Sequence, residues 1–346
     1  MSGKPITIVG GGLAGLTLGI GLRQRGVPVT VWEAGRYPRH RVCGEFVSGR
    51  GQGSLARLGL LELLVAAGAV RARTAEFCSA RVAGRAHELP QLALCLPRWR
   101  MDALLAGRFR ELDGELREGE RWSEAPGREG VVFASGRRPQ PVVNGWSWFG
   151  LKAHATGAAT SADLEMHLSG GGYVGLCRQP GGVVNVCGLF RRKPASGDNV
   201  GDWQEQLRGA PGSRLRERMC NAVFVPGSFC AVAGINLTPQ RAQRQIECRI
   251  GDALTMIPPL TGNGMSIAFE AAEVAIGPLA DWSHGKVAWA QTRQTVARMC
   301  DAAFARRLTW AKWLQQMILA PLLQDPLVAL TSRSGWFWQL TFTKTR

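Results

Sequence analysis

Apolar and polar positions alternate along the chain in blocks that change period. Pro5-Ile6-Thr7-Ile8-Val9 is a short, mostly apolar run, as in a strand buried on both faces of a parallel sheet. After a cluster of glycines, Leu16, Leu18, Ile20 and Leu22 follow a helical pattern to about Arg25, and Gly26 ends it. Residues 27–32 read as a second strand, closed by Glu33. Residues 55–67 have helical periodicity. Residues 74–89 alternate as a strand or hairpin, with Phe77, Ser79 and Arg81 on one face. Pro97-Arg98-Trp99-Arg100-Met101-Asp102 leads into a helix running to about Leu112, and residues 131–134 form a buried-strand candidate.

Residues 145–190 predict antiparallel sheet. Leu164, Met166 and Leu168 alternate, Gly170-Gly171-Gly172 turns the chain, and residues 173–177 and 183–189 pair around Pro180-Gly181-Gly182. An apolar strand then ends in Gly251-Asp252, and a helix through Ala268 and Ala272 follows a glycine-rich start. The tail after Asp281 is helical and rich in tryptophan. Trp310, Trp313, Leu314, Met317 and Ile318 make an apolar face there, with Arg306, Arg307 and Lys312 nearby, while Pro321 and Pro326 limit any long single helix. This spacing suits a helix capping the core, and it also makes the tail a candidate for peripheral membrane contact.

The glycines between the first strand and helix, Gly10-Gly11-Gly12-Leu13-Ala14-Gly15, spell G-x-G-x-x-G. In that pattern Gly10 makes the tight turn, Gly12 lets a pyrophosphate approach the backbone, and Gly15 lets the helix pack closely on the strand. Unpaired N–H groups and the helix dipole at Leu13 and Ala14 favour negative charge. Glu33, eighteen residues beyond Gly15 and followed by Ala34, would accept hydrogen bonds from an adenosine ribose. With 44 glycines in the chain, a glycine-rich turn is the alternative; strand, glycines, helix, strand and acid in order point to dinucleotide binding. The triple glycine at 170–172 precedes no helix and predicts no second such site.

Composition narrows the classes. The chain has 346 residues, 45% apolar and 20% charged, which suits a globular protein with a large core. It has no run of eighteen apolar residues, and the glycines at 10–15 interrupt any signal-like stretch. Nine scattered cysteines without metal-type spacing predict a reduced, cytoplasmic protein with no metal site. The net charge of +16 comes almost wholly from arginine, since only six of the 42 basic residues are lysines. Such a field attracts anionic cofactors or membrane surfaces, although arginine-favouring codon usage yields the same balance. There is no dense basic run, and no nucleic-acid partner is expected.

Gly251-Asp252 places a carboxylate at the carboxyl edge of a sheet, where α/β ligands bind. Pro259-Leu260-Thr261-Gly262-Asn263-Gly264-Met265 then presents backbone N–H groups at a second helix start. Together with Cys43-Gly44-Glu45 and Arg98 with Asp102, these pieces resemble the FAD-dependent oxidoreductases of the p-hydroxybenzoate hydroxylase and geranylgeranyl reductase superfamily. That superfamily also includes squalene epoxidases and flavin-dependent halogenases, and the resemblance covers most of residues 5–275. It implies an α/β fold: a Rossmann-like FAD-binding domain (residues 1–74, 98–138 and 240–290), an interleaved antiparallel substrate domain (75–97 and 139–239) and a C-terminal helical segment (291–346).

The resemblance also implies roles. Gly10, Gly12, Leu13, Ala14 and Gly15 would hold the FAD pyrophosphate, Glu33 and Ala34 the ribose, and Asp252 the ribityl chain. Pro259, Gly262, Asn263, Gly264 and Met265 would lie along the isoalloxazine, with Arg41, Gly44 and Arg98 as further cofactor contacts. Cys43 and Glu45 are candidate proton donors. Trp148, Phe149, His154 and Tyr173 are candidates to line a pocket for a hydrophobic small-molecule substrate.

Departures from the family pattern narrow the chemistry. Ala134-Ser135-Gly136-Arg137 lacks the aspartate that serves both FAD and the nicotinamide donor in many hydroxylases, although NAD(P)H remains the expected reductant. No lysine lies between Lys4 and Lys152, and Gly145-Trp146-Ser147-Trp148 is followed by Phe149-Gly150, which argues against halogenation. The expected activity is a monooxygenase for an aromatic or polyketide-like molecule. The alternatives are a carbon–carbon double-bond reductase and a non-catalytic flavin- or anion-binding module.

Overall fold

A computed structural model describes residues 3–123, 127–140, 142, 145–193 and 202–345. Ile6–Val9 is the middle strand of a five-stranded parallel sheet, ordered Cys248–Arg249, Val131–Phe133, Ile6–Val9, Val29–Glu33, Glu115–Glu118. Ile6 stands opposite Val29, and Thr7 opposite Val131. Ile6 and Ile8 are wholly buried, as a strand covered on both faces requires. The helix Leu13–Arg23 crosses over this sheet between the helices Arg98–Glu111 and Gly264–Ser283. Leu16, Leu18, Ile20 and Leu22 are all fully buried, so this helix is apolar nearly all round.

The second sheet has nine strands. Along its main path the order is Val223–Phe224, Ser147–Thr156, Val184–Arg192, Gly172–Arg178, Leu164–Ser169, Val70–Cys78, His87–Cys95, Phe46–Val47, and Cys230–Ala233 also pairs with Ser147–Thr156. The pairing is antiparallel except between Val70–Cys78 and Leu164–Ser169. Alternation assigns its two faces. Leu151, Ala153, Val174 and Val186 pack with Leu207, Leu215 and Met219 from two short helices. Trp148, Tyr173, Leu168 and Leu189 cluster on the opposite face with Leu260, and with Leu314, Ile318 and Val328 of the C-terminal helices.

Some elements differ from the sequence pattern. The helical stretch at 55–67 is two helices, Gly49–Arg57 and Leu61–Ala66, because Gly59 takes a left-handed φ of 68° between them. The hairpin expected at 74–89 is longer: Val70 pairs with Cys95. The tail forms three helices, Trp289–Ile318, Pro321–Arg333 and Gly335–Thr345. The break falls before Pro321, which starts a helix, while Pro326 is accommodated inside it. The apolar face expected from Trp310 to Ile318 is split. Leu314 and Ile318 point inward, and Trp313 is half exposed. Trp338 is buried against the hairpin, stacked on His87 and donating its indole N–H to the Glu88 carbonyl at 2.9 Å. Among the described residues no helix is long and apolar enough to cross a membrane, and the nine cysteines are free thiols.

Candidate functional site

The glycine turn leaves the central strand beside the strand Val131–Phe133. Gly10 has φ 108°, and a Cβ there would lie 2.5 Å from the Ala134 carbonyl oxygen. A Cβ on Gly15 would stand 1.9 Å from the Gly10 carbonyl oxygen. Packing within the protein therefore accounts for these two glycines. Gly12 is different. Its φ is −83°, and a Cβ there would meet only Arg98 Nη2, at 3.7 Å. Space above Gly12 is open, no side chain caps the helix that starts at Leu13, and no acid occupies its first turn. Free N–H groups, a helix dipole and a guanidinium thus face one small opening, which suits a diphosphate.

Glu33 is 5% exposed. Its carboxylate accepts from Gly11 N at 3.0 Å, Gly35 N at 2.8 Å, Arg39 Nη2 at 2.6 Å and Arg41 Nη2 at 3.3 Å. A ribose reaching this group would displace one of the arginines, and Ala34 lies exposed just beyond. Tyr37 donates its hydroxyl to the Gly11 carbonyl, and burial followed by Glu33 raises its pKa, so it stays a phenol. Arg41 and Arg98 converge on fully buried Asp102, at 3.1 and 2.8 Å. Burial opposes the Arg98 charge, but Asp102 outweighs it and holds the guanidinium above its ordinary pKa.

The second loop closes onto the first. Gly251 has φ 57°, and a Cβ there would lie 2.9 Å from Ala14 Cβ. Asp252 is exposed at the edge of this junction. The surrounding protein mass pushes its carboxyl up to about 6, with Arg98 and Arg137 pulling the other way. On one side Asp252 and Arg137 border a cavity of about 740 Å³, also lined by Gln140, Asn236 and Met256. Pro259–Thr261 makes a turn that ends at Gly262, with φ 64°. A Cβ on Gly262 would lie 2.2 Å from the Phe46 ring, so the Cys43-Gly44-Glu45 segment abuts this loop through its neighbour. Asn263 is buried, and its Oδ1 accepts from Ser48 Oγ at 2.9 Å. The helix Gly264–Ser283 starts with no side-chain cap from Asn263 and nothing within 4 Å of a Cβ on Gly264, and Met265 is buried beneath.

Cys43 and Glu45 are not the free acids that the sequence suggests. Burial pushes the Cys43 thiol up. Glu45 is wholly buried at φ 60°. It accepts from Arg98 N at 3.0 Å, Lys152 Nζ at 3.2 Å and His154 Nε2 at 2.6 Å. Burial would raise this carboxyl, but His154, Lys152 and the Arg98 N–H together hold it below the usual range, so it is an ionised acceptor. His154 is thereby tied to Glu45. Trp148 and Tyr173 share a cluster with Leu260 of the second loop, and the Tyr173 hydroxyl is buried without a partner among the described residues. Phe149 lies on the opposite face, stacked on Phe190 at 5.5 Å, so it lines no common pocket with Trp148. Sequence reasoning missed Lys152 and His40, which join Glu45 and His154 in one group. The available signal was Lys152 and His154 alternating with Leu151, Ala153 and Ala155, two ionisable positions on one face of an apolar strand.

Residues 4–132 match the family model of an FAD binding domain. The fold, a parallel nucleotide-binding sheet with a second mixed sheet and C-terminal helices, is one found in flavin-dependent enzymes of known structure. This flavoprotein fold is shared with the flavin-dependent brominase Bmp2, at 15% identity and TM-score 0.76, over 99% of this chain and 92% of that one. It is shared with a PqsL variant from Pseudomonas aeruginosa at 17% identity and TM-score 0.72, over 95% of this chain and 100% of the other. A geranylgeranyl bacteriochlorophyll reductase-like protein from Thermoplasma acidophilum matches at 16% identity and TM-score 0.72, over 96% of this chain and 92% of that one. No curated protein matches the chain by sequence. The open cradle at Gly12, the adjacent Arg98 and the Gly251–Ala14 junction fit FAD chemically.

Proposed function

We propose that this protein is an FAD-dependent monooxygenase that uses NAD(P)H to insert one oxygen atom into a hydrophobic aromatic or polyketide-like molecule. The observation that carries the reading is the closure of two distant loops, Gly251 onto Ala14, beneath an opening flanked by Arg98. The N–H groups of Leu13 and Ala14 bind the diphosphate, with Arg98 and Arg41 balancing its charge. Asp252 would orient the sugar-alcohol chain, and the uncapped start of the helix Gly264–Ser283 would favour negative charge brought near it. FAD when bound supplies the electron store and the means of activating dioxygen. Trp148, Tyr173 and Leu260 form one apolar cluster, which would exclude water from a hydrophobic substrate bound beside the second loop.

A second reading, reduction of a carbon–carbon double bond, is favoured by the likeness to the Thermoplasma reductase-like protein. The expected result is that purified protein is yellow, is bleached anaerobically by NADH or NADPH, and consumes oxygen in step with hydroxylated product from lipophilic phenols. Anaerobic product formation from polyenes would select the reductase. Flavin binding without reduction by either nucleotide refutes both and leaves a binding module.

A further inference from the structure

The C-terminal helices turn one side to the core and leave the other side uncovered. Leu314, Ile318, Leu327 and Val328 face the cluster that also holds Trp148 and Tyr173. The opposite sides repeat at helical spacing. Arg306, Trp310 and Trp313 fall on one outward stripe of the helix Trp289–Ile318, and Leu322, Pro326, Leu330 and Arg333 on one outward stripe of Pro321–Arg333. Leu322 is 90% exposed, and Trp336, at the start of the last helix, is 72% exposed. We propose that this face docks on a bilayer carrying anionic lipids, lying in its surface without crossing it.

Charge selects that occupant. Residues 302–346 carry Arg306, Arg307, Lys312, Arg333, Lys344 and Arg346 against a single acid, Asp325. Arg307 is tied to Glu270, and Asp325 accepts from Ser79. Arg306, Lys312 and Arg333, with Arg241 nearby, have no ion-pair partner among the described residues. Beside the first stripe lies a cleft of about 530 Å³ lined by Arg241, Ala305, Arg306, Thr309, Trp310 and Trp313. Its two indoles meet edge to face at 4.9 Å. Two guanidinium groups and two indoles thus share one opening, which suits a lipid phosphate whose acyl chains lie along the rings. A second copy of this chain would instead bring like charges together across the same face.

The two stripes are held in a fixed relation. Trp313 stands five residues, about 7.5 Å, before the end of its helix, and Leu322 follows directly after the turn. Gln324 Nε2 donates to the Ser169 and Ile318 carbonyls at 2.8 Å each, and Arg191 Nη2 to the Leu319 carbonyl at 3.1 Å, which secures that turn on the second sheet. A face of this kind sinks its apolar side chains about 5–10 Å into the headgroup region. Each basic residue near an anionic surface strengthens attachment about fivefold. The net charge of +16 adds a longer-range attraction that weakens with salt. The inference concerns where the molecule sits and stands whether the reaction is oxygen insertion or reduction.

The test is co-sedimentation of the full chain, as purified, with vesicles of phosphatidylcholine alone and of phosphatidylcholine mixed with phosphatidylglycerol. The parent is expected to bind the mixed vesicles at least about tenfold more tightly, and to lose most of that margin in roughly 1 M salt, where the screening length is about 3 Å. Trp313→Ser and Leu322→Ser are each expected to weaken binding about tenfold. Arg306→Gln and Lys312→Gln are each expected to weaken it about fivefold, on the mixed vesicles only. Val223→Ser, at an exposed apolar position on the far edge strand of the second sheet, is expected to bind like the parent. These are surface positions, so every variant should melt within about 2 °C of the parent. Lipids brominated in their acyl chains should quench part of the parent's tryptophan fluorescence, and less of it in Trp313→Ser. Absence of binding to the mixed vesicles overturns the proposal. So does binding that Trp313→Ser and Leu322→Ser leave unchanged, which would place the contact elsewhere on the basic surface. A parental dimer in lipid-free buffer that Trp313→Ser dissociates also overturns it, by making the face a contact between copies.

Discussion

Alanine at Gly12 and at Gly15 separates binding from folding within one motif. At Gly15 the added Cβ would lie 1.9 Å from the Gly10 carbonyl oxygen and 3.2 Å from Ile8 Cγ2. The clash is with backbone on the central strand, and relieving it means moving the helix by more than about 1 Å. Such overpacking costs about 1–3 kcal/mol, and the upper end applies because no flexible side chain can swing aside. Alanine's better helix propensity returns up to about 1 kcal/mol. The net loss is about 2 kcal/mol, or roughly 3 °C in the melting temperature of a chain this long. At Gly12 the Cβ meets only Arg98 Nη2 at 3.7 Å, and the φ of −83° suits any residue. Gly12 is the N-cap of its helix, so apoprotein stability should fall by no more than about 1 kcal/mol. The methyl group stands where a diphosphate oxygen would approach Gly12, so FAD affinity should fall at least about tenfold, about 1.4 kcal/mol. Thermal unfolding of apoprotein and flavin-fluorescence titration measure the two quantities. Unchanged FAD affinity in Gly12→Ala would refute the placement of the diphosphate. An unchanged melting temperature in Gly15→Ala would refute the packing argument.

Two further perturbations test the electrostatics. Asp252 has a folded-state pKa raised to about 6, above its unfolded value, so ionising it opposes folding above that pH and the penalty fades as pH falls through 6. Asp252→Asn should therefore melt higher than the parent at pH 8 and level with it at pH 4, and a pH-independent difference would contradict the assignment. Arg307, 5% exposed in its side chain, pairs bidentately with Glu270 at 2.9 and 2.7 Å and ties the helix Trp289–Ile318 to Gly264–Ser283. Arg307→Met leaves that carboxylate unpaired and should cost about 3–5 kcal/mol. Adding Glu270→Met should recover most of it in chemical denaturation, and no recovery would show that packing rather than charge is lost.

The parts legible in the sequence are those that a single local period or a short backbone motif determines. The first strand, the glycine turn and the helix after it are contiguous, so each residue's role follows from its neighbours. Asp252 and Gly262 could be read because a strand ending in Gly-Asp and a turn before a helix are also local. Pairing across the sheet is not local. Lys152 and His40 are 112 positions apart and meet only because Ser147–Thr156 turns its even-numbered side chains toward the Cys43-Gly44-Glu45 segment. Phe149 resembled Trp148 in composition, yet the period of two sends adjacent residues to opposite faces. The same geometry explains why Glu45 could be taken for a proton donor. A carboxyl in isolation is an acid, but one surrounded by a lysine, a histidine and a backbone N–H is a fixed anion. It holds one buried negative charge beside Lys152 and His154. Buried charges are consequently found on the second sheet as much as on the nucleotide fold. A relative that kept every glycine but carried leucine at 152 and 154 would share this architecture, yet a carboxylate at 45 would be buried there without its two side-chain partners.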